Sequence, residues 1–194
     1  MRLHDYAASG NCYKVRLLLA LLGLDYERVA VDIFAGDTLT PEFERLNPVR
    51  ETPVLELDSG ETITQSNAIL WYLAEGTAYL PANRLARARI VQWLSFEQER
   101  VMPGLGGTRF RRATGRAALD HAADAARFAT GVNALRVLDD HLAEREFLVG
   151  GRCSIADLSV FGYACVAHQA GFEIDALPAV AAWLGRVRAL PVSS

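Results

Sequence analysis

Apolar residues at the start of the chain recur with two different periods. Residues 3–6 form a short strand candidate, and the turn-rich segment 8–11 follows it. Beyond that turn, apolar residues spaced at i, i+3, i+4 and i+7 form the stripe of an amphipathic helix, expected to stop at Gly23. The members of this stripe are Val15, Leu18, Leu19 and Leu22. The pattern therefore predicts a strand that leads directly into a helix.

The rest of the first half predicts three more strands and two more helices. Residues 26–32 alternate between charged and apolar positions, as a strand does, and residues 41–46 form a helical stretch that ends at Asn47-Pro48. Residues 53–57 and 61–64 are strands, and the turn between them is too short for a helical crossover, so they form an antiparallel hairpin. A helix opens at Gln65-Ser66. The order β-α-β-α-β-β-α predicts a small mixed sheet with helices on its faces.

After Glu75 the pattern changes, and no further strand is predicted. Residues 85–102 have a helical pattern that ends at Pro103, residues 103–107 are expected to break the chain, and a second helix covers residues 117–144. Ser154 and Asp157 have the spacing of a capping box, and a last helix carries Trp183. We therefore predict an α/β domain over residues 1–76, a linker over 77–85 and an all-helical domain over 86–194.

Composition and charge exclude several classes of protein. The net charge is −3 and 51% of the residues are hydrophobic, which favours a packed core and argues against binding to nucleic acid through phosphate contacts. No apolar run approaches the roughly 20 residues that span a bilayer, and the first residues do not resemble a signal peptide. The three cysteines provide no disulfide framework and have no metal-ligand spacing with the histidines. We expect a cytoplasmic, metal-free protein that binds no membrane.

The segment Ser9-Gly10-Asn11-Cys12 lies between the first strand and the first helix, where unpaired N–H groups and the helix dipole stabilise an anion such as a thiolate. A hydrogen bond from the Ser9 hydroxyl to that thiolate contributes about 1.5–3 kcal/mol, which lowers a thiol pKa by about one to two units. The alternative is that Ser9 or Asn11 only caps the first helix.

Two other segments are candidate ligand contacts. Thr52-Pro53 precedes a strand, where a proline is either an ordinary trans residue or, in a thioredoxin-like sheet, a cis residue that exposes the preceding main chain to a peptide. Gln65-Ser66 opens a helix, so its N–H groups and hydroxyl either bind a carboxylate or only cap the helix.

The order and spacing of these segments resemble those of cytosolic glutathione transferases of the serine type, in particular bacterial classes. The similarity covers nearly the whole chain. The segments that carry it are the first-helix entry at 9–17, Asn47-Pro48 with Thr52-Pro53-Val54-Leu55, the Gln65-Ser66-Asn67-Ala68-Ile69 run, the Ser154-Ile155-Ala156-Asp157 cap and the tryptophan-containing helix at 178–191.

The resemblance implies a thioredoxin-like N-terminal domain followed by a C-terminal helical bundle. It also implies a role for each candidate residue: Ser9 faces the sulfur of glutathione, Thr52 pairs its main chain with the cysteinyl unit beside cis-Pro53, and Gln65 and Ser66 hold the γ-glutamyl group. Arg50 is included as a contact of the glycyl carboxylate.

Two positions depart from the family pattern. Gln65 replaces the usual glutamate, which removes a negative charge opposite the γ-glutamyl amine. Asn11 lies near the active serine, so either Ser9 or Asn11 is the donor to the thiolate. Cys12 either packs inward as a structural residue or forms mixed disulfides.

The function that the resemblance implies is attack of the glutathione thiolate on a small hydrophobic electrophile. Glutathione is the co-substrate, and the protein is expected to form a homodimer. The alternatives are a glutathione-dependent isomerase or peroxidase of the same fold, a non-catalytic binder of glutathione or other ligands, and an interaction module.

Overall fold

The structure is a computed structural model, and it describes residues 1–191; the last three residues of the predicted helical domain, 192–194, lie outside the described residues. The chain divides into two compact units, Met1–Glu75 and Gly76–Leu190. The first is a thioredoxin-like domain with a small mixed sheet, and the second is helical, as the sequence predicts.

The sheet of the first unit contains all four predicted strands, in the spatial order β2-β1-β3-β4. Strand β1 is parallel to β2 and antiparallel to β3, which forms the predicted hairpin with β4. The strand bounds are Arg2–Asp5 for β1, Glu27–Ala30 for β2, Val54–Glu56 for β3 and Thr62–Thr64 for β4.

Helices α1 (Gly10–Leu22) and α3 (Ser66–Ala74) pack against each other, and α2 (Pro41–Leu46) precedes β3. Helix α1 ends at Gly23, which has the left-handed φ of 62° that glycine adopts without strain. Burial of the apolar side chains between the sheet and these helices contributes about 1.5–3 kcal/mol for each large residue. The side chains buried on α1 and α3 include Val15, Leu18, Leu19, Ile69, Leu70 and Leu73.

The second unit consists of helices, and the first of them begins at a side-chain cap. Helix α4 begins at Arg84 because the Asn83 side chain accepts a hydrogen bond from the Ala86 N–H at 3.0 Å. The first two residues of α4, Arg84 and Leu85, thus lie within the segment 77–85, which the sequence predicts to be a linker. The helices are α4 (Arg84–Phe96), a π-helix (Glu97–Gly106), α5 (Gly107–Ala113), α6 (His121–Leu142), α7 (Ile155–Ala164) and α8 (Pro178–Arg188), with short 3₁₀ turns at Arg116–Leu119, Ala167–Ala170 and Ile174–Ala176.

The expected break at residues 103–107 is wrong. Helix α4 continues as the π-helix through Pro103 and into α5. A proline in a regular α-helix removes one hydrogen bond and clashes with the carbonyl four residues earlier, whereas the wider π turn changes both relations. Gly104 adds a tertiary reason, because a Cβ on it would lie 2.6 Å from the Gly131 nitrogen of α6. The absence of a side chain here lets two helices approach closely.

The predicted capping box of α7 is confirmed, and it has a larger role than a local cap. Asp157 is completely buried and accepts from the Ser154 N–H at 2.9 Å, while the Ser154 side chain accepts from the first turn of the helix. The other carboxylate oxygen accepts from Leu148 N at 2.8 Å and from Trp183 Nε1 at 3.0 Å. The cap therefore joins α7, the preceding loop and α8.

Candidate functional site

The predicted site residues lie in the first unit, at or shortly before the starts of α1, β3 and α3. Ser9 is the N-cap of α1: its Oγ accepts a hydrogen bond from Cys12 N at 3.3 Å. The capping alternative is therefore realised. It does not exclude a catalytic role, because a hydroxyl that accepts through its oxygen still has a proton to donate.

Two ion pairs to the buried Asp5 position the loop that carries Ser9. Asp5, the last residue of β1, is 1% exposed, and its carboxylate accepts from the guanidinium groups of Arg16 on α1 and Arg28 on β2. Arg16 also donates to the Ala7 carbonyl at 3.0 Å. These contacts hold the short loop between β1 and α1 at the carboxyl end of the strand.

Cys12 lies behind Ser9 and is fully buried. Burial raises the pKa of its thiol, and this effect outweighs the lowering by hydrogen bonds from the Thr52 side chain, the backbone near Tyr6 and the Ser9 side chain. The raised pKa keeps the thiol protonated at neutral pH, and the thiol is a poor nucleophile because only the thiolate reacts. The contacts of the Cys12 sulfur also bring Ser9 together with Thr52.

The loop before β3 presents Thr52. The Asn47 amide, 2% exposed, donates to the Glu51 carbonyl at 2.8 Å and its Oδ1 accepts from Val49 N at 3.1 Å. The Thr52-Pro53 bond is cis, as the resemblance predicts.

The contact of the Arg50 side chain is with a residue outside the predicted site. It has a positive φ of 60°, uncommon for a residue with a side chain, and its guanidinium forms an ion pair with Glu44 at 2.7 Å. Within residues 1–191, no hydrogen bond or ion pair joins Arg50 to another of the predicted site residues.

The N-terminus of α3 has no side-chain cap hydrogen bond. Gln65 occupies the N-cap position with a φ of 67°, and its exposed side chain makes no capping hydrogen bond. Its carbonyl accepts from Ala68 N at 2.9 Å and Ile69 N at 3.0 Å. Ser66 is 4% exposed and is the first helical residue. The dipole of a helix favours an anion at its start, so this turn suits a carboxylate.

Two hydrogen bonds join the starts of α1 and α3. Ser66 Oγ donates to Asn11 Oδ1 at 3.2 Å, and Lys14 Nζ donates to Asn67 Oδ1 at 2.8 Å. Neither Lys14 nor Asn67 is among the site residues predicted from the sequence. A signal was available, because Lys14 is the only lysine among the 20 basic residues of the chain and lies one helical turn after Asn11.

The assembled site combines a hydroxyl and an amide beside a helix start, the main chain of Thr52 before a cis proline, and a second helix start with a buried serine. The family resemblance implies that these groups bind glutathione. Among residues 1–191, no group of three or more His, Cys, Asp and Glu side chains is arranged to hold a metal ion. Within the same residues, no helix has the length and apolar character needed to cross a membrane.

Comparison with known proteins agrees with the fold. Residues 8–75 match the glutathione S-transferase N-terminal domain and residues 111–186 match the C-terminal domain. A maleylacetoacetate isomerase of Rhizobium meliloti is 34% identical over 197 residues, which are 93% of this chain and 87% of that protein.

Solved structures extend the similarity to the whole fold. A glutathione S-transferase from Xanthobacter autotrophicus Py2 is 40% identical with a TM-score of 0.95, and the match covers 100% of this chain and 95% of that one. A glutathione transferase from Burkholderia graminis, solved with two glutathione molecules per subunit, is 28% identical with a TM-score of 0.85 over 98% of this chain and 84% of that one. The chain therefore belongs to the glutathione S-transferase family.

Proposed function

We propose that the protein is a glutathione transferase that activates the thiol of bound glutathione for attack on a hydrophobic electrophile. The observation that carries this proposal is the hydrogen bond between Ser66 and Asn11, which places the starts of α1 and α3 side by side. One helix start then faces the sulfur while the other receives a carboxylate of the same peptide.

Ser9 is the proposed donor to the glutathione sulfur. Its oxygen accepts from Cys12 N, so the hydroxyl proton can point towards a thiolate. Such a hydrogen bond stabilises the thiolate by about 1.5–3 kcal/mol, which lowers the thiol pKa by about one to two units. Asn11 is the alternative donor, because Ser66 occupies its Oδ1 and leaves the Nδ2 protons for another acceptor.

The other predicted residues bind the ends of the peptide. Thr52 pairs its main chain with the cysteinyl unit beside Pro53, and Gln65 and Ser66 hold the γ-glutamyl group, with the N–H groups of α3 directed at its carboxylate. Arg50 has a weaker claim, since its guanidinium must exchange Glu44 for the glycyl carboxylate of glutathione.

In the proposed reaction the thiol proton leaves to solvent as the thiolate forms. The sulfur then forms a bond to an electrophilic carbon, and the leaving group departs with its electron pair. The protein lowers the thiol pKa and holds the reactants together, and proximity can supply several kcal/mol of the acceleration. Conjugation of apolar electrophiles in this way is a detoxification reaction.

An isomerase is the second candidate activity. The Rhizobium meliloti relative, at 34% identity, is named a maleylacetoacetate isomerase, and addition and later loss of the same thiolate would serve that reaction. Turnover of maleylacetoacetate without net consumption of glutathione separates this activity from conjugation. Binding of glutathione with no turnover of either substrate type supports a non-catalytic binder.

We also propose that the protein is a homodimer and acts in the cytoplasm. Large apolar side chains are exposed on α3 and α4, where the family resemblance predicts the dimer contact; they are Tyr72, Leu85 and Val91, which are 50%, 59% and 48% exposed. Light scattering coupled to size-exclusion chromatography tests the dimer, and a monomer at micromolar concentration would exclude it. The free state of the three cysteines agrees with a reducing compartment.

The test is a calorimetric titration with glutathione, together with thiolate absorbance measured against pH. We expect the wild type to bind glutathione and to lower the thiol pKa, and Ser9→Ala to bind it with a pKa near the free value. Asn11→Ala is measured in parallel, and Ser59→Ala, in the exposed turn between β3 and β4, is the matched control. No binding by the wild type refutes the proposal, whereas a lost pKa shift only in Asn11→Ala transfers the donor role to Asn11.

A further inference from the structure

The buried lysine at the junction of α1 and α3 has no role in the function proposed above. Lys14 is the only lysine in the chain, and its side chain is 0% exposed. Lysine is among the residues least often buried, because an ammonium group loses strong hydration on leaving water. Such a burial needs specific contacts, and one of these is the hydrogen bond to Asn67 Oδ1 at 2.8 Å.

The contacts of Lys14 continue those of the proposed glutathione site. Asn11 and Lys14 are one turn apart on α1 and lie on the same helix face. Ser66 and Asn67 are the first two residues of α3, so the two hydrogen bonds between the helices connect successive residues of its first turn. The Gln65 side chain does not cap that turn. The hydrogen bonds with Asn11 and Lys14 of α1 therefore help to hold the first turn of α3 in position.

We propose that Lys14 is a positioning residue of the glutathione site. Through Asn67 it fixes the first turn of α3, and so sets where Ser66 and the adjacent N–H groups meet the γ-glutamyl carboxylate. Lysine suits this position because its compact ammonium group offers three rotatable donors on a flexible stem, whereas the planar fork of arginine needs more room. This inference rests on the proposed function, since it assumes that glutathione is the ligand.

The first experiment combines variants with two ligands. One ligand is glutathione and the other is the same tripeptide with 4-aminobutyrate in place of the γ-glutamyl unit, which lacks the α-carboxylate. A hydrogen-bonded charged group contributes about tenfold or more to affinity. We therefore expect the wild type to bind glutathione at least about tenfold more tightly than the analogue without the α-carboxylate.

Lys14→Met and Asn67→Leu should each reduce this ratio to about threefold or less, mainly by weakening glutathione binding. The double variant should add little to either single variant, because both remove the same hydrogen bond. The matched control is Val31→Ala, which truncates the buried cluster of Val31, Phe43 and Val54, whose members lie outside α1 and α3. It should lower stability and leave the ligand ratio unchanged.

The second experiment uses the wild type alone, in case Lys14→Met does not fold. Because the chain has one lysine, labelling with 13Cε-lysine gives a single lysine signal in the NMR spectrum. We expect glutathione to shift this signal and the analogue without the carboxylate to shift it far less.

Each result has a defined meaning. If the wild type does not bind glutathione, the proposed function fails and this inference fails with it. If glutathione binds but Lys14→Met weakens both ligands equally, or the lysine signal responds alike to both, the function stands and the positioning role of Lys14 is refuted. A changed ratio in Val31→Ala would also refute it, because general destabilisation would then produce the effect.

Discussion

Removal of the Asp157 side chain tests the most demanding polar contact of the helical unit. The carboxylate is 0% exposed and accepts four hydrogen bonds: from Leu148 N and Trp183 Nε1 on one oxygen, and from the N–H and hydroxyl of Ser154 on the other. The hydroxyl can rotate to a new partner, but the three N–H donors cannot.

In Asp157→Ala these three donors stay buried without an acceptor. Each costs about 1–3 kcal/mol, so the free energy of unfolding should fall by about 3–9 kcal/mol. Domains are stable by only about 5–15 kcal/mol in total. We therefore expect Asp157→Ala to be largely unfolded at 25 °C, or to unfold at a much lower urea concentration than the wild type.

Asp157→Asn keeps one acceptor oxygen and replaces the other by an NH₂ group. It should lose a single backbone bond and cost about 1–3 kcal/mol. The assay is urea unfolding at pH 7 followed by circular dichroism. Asp140→Ala is the control, because Asp140 is exposed on α6 and such a change should stay within about 0.5 kcal/mol.

The reasoning about Asp157 is refuted if Asp157→Ala unfolds within about 1 kcal/mol of the wild type, since three buried donors would then carry no measurable penalty. It also fails if Asp157→Asn is as unstable as Asp157→Ala, because the number of lost acceptors would not matter.

Two further predictions concern titrating groups. Burial raises the pKa of all three cysteine thiols, that of Cys165 to about 11, so the native protein should react slowly with a disulfide reagent at pH 8, and rapid reaction of Cys12 would contradict its buried position. The pKa of Glu56 is lowered by the hydrogen bond from Arg2 and then by that from His4. Its contribution to stability is thus present above the ordinary glutamate pKa of about 4.3 and is lost as the pH falls below it. The variant Glu56→Gln should flatten the stability profile in this acid range, and an unchanged profile would show that the ion pair is not coupled to folding.

Local patterns predicted much of the fold correctly. The apolar stripe of α1, its stop at Gly23, the hairpin of β3 and β4 and the capping box of Ser154 and Asp157 all depend on residues close together in the chain. Their energies are set by short-range geometry, so the sequence carries the signal directly. The family resemblance extended this to the cis bond before Pro53.

The helix break at Pro103 was mispredicted because a tertiary contact overrides a local rule. A proline followed by glycine normally ends a helix. Here the π-helix continues, and Gly104 lies so close to Gly131 that no side chain would fit. The packing of a distant helix decided the conformation, and the sequence near Pro103 contains no sign of it.

The sequence alone determined the order of elements and the chemical types available for a site. Only the tertiary structure decided that Asn11 meets Ser66, 55 positions along the chain, and that Lys14 meets Asn67, 53 positions along it. It likewise showed that Arg50 pairs with Glu44 and that Cys12 is buried. The physical reason is that such contacts arise when the sheet brings two helix starts together, and hydrogen bonds between distant residues leave no periodic pattern in the chain.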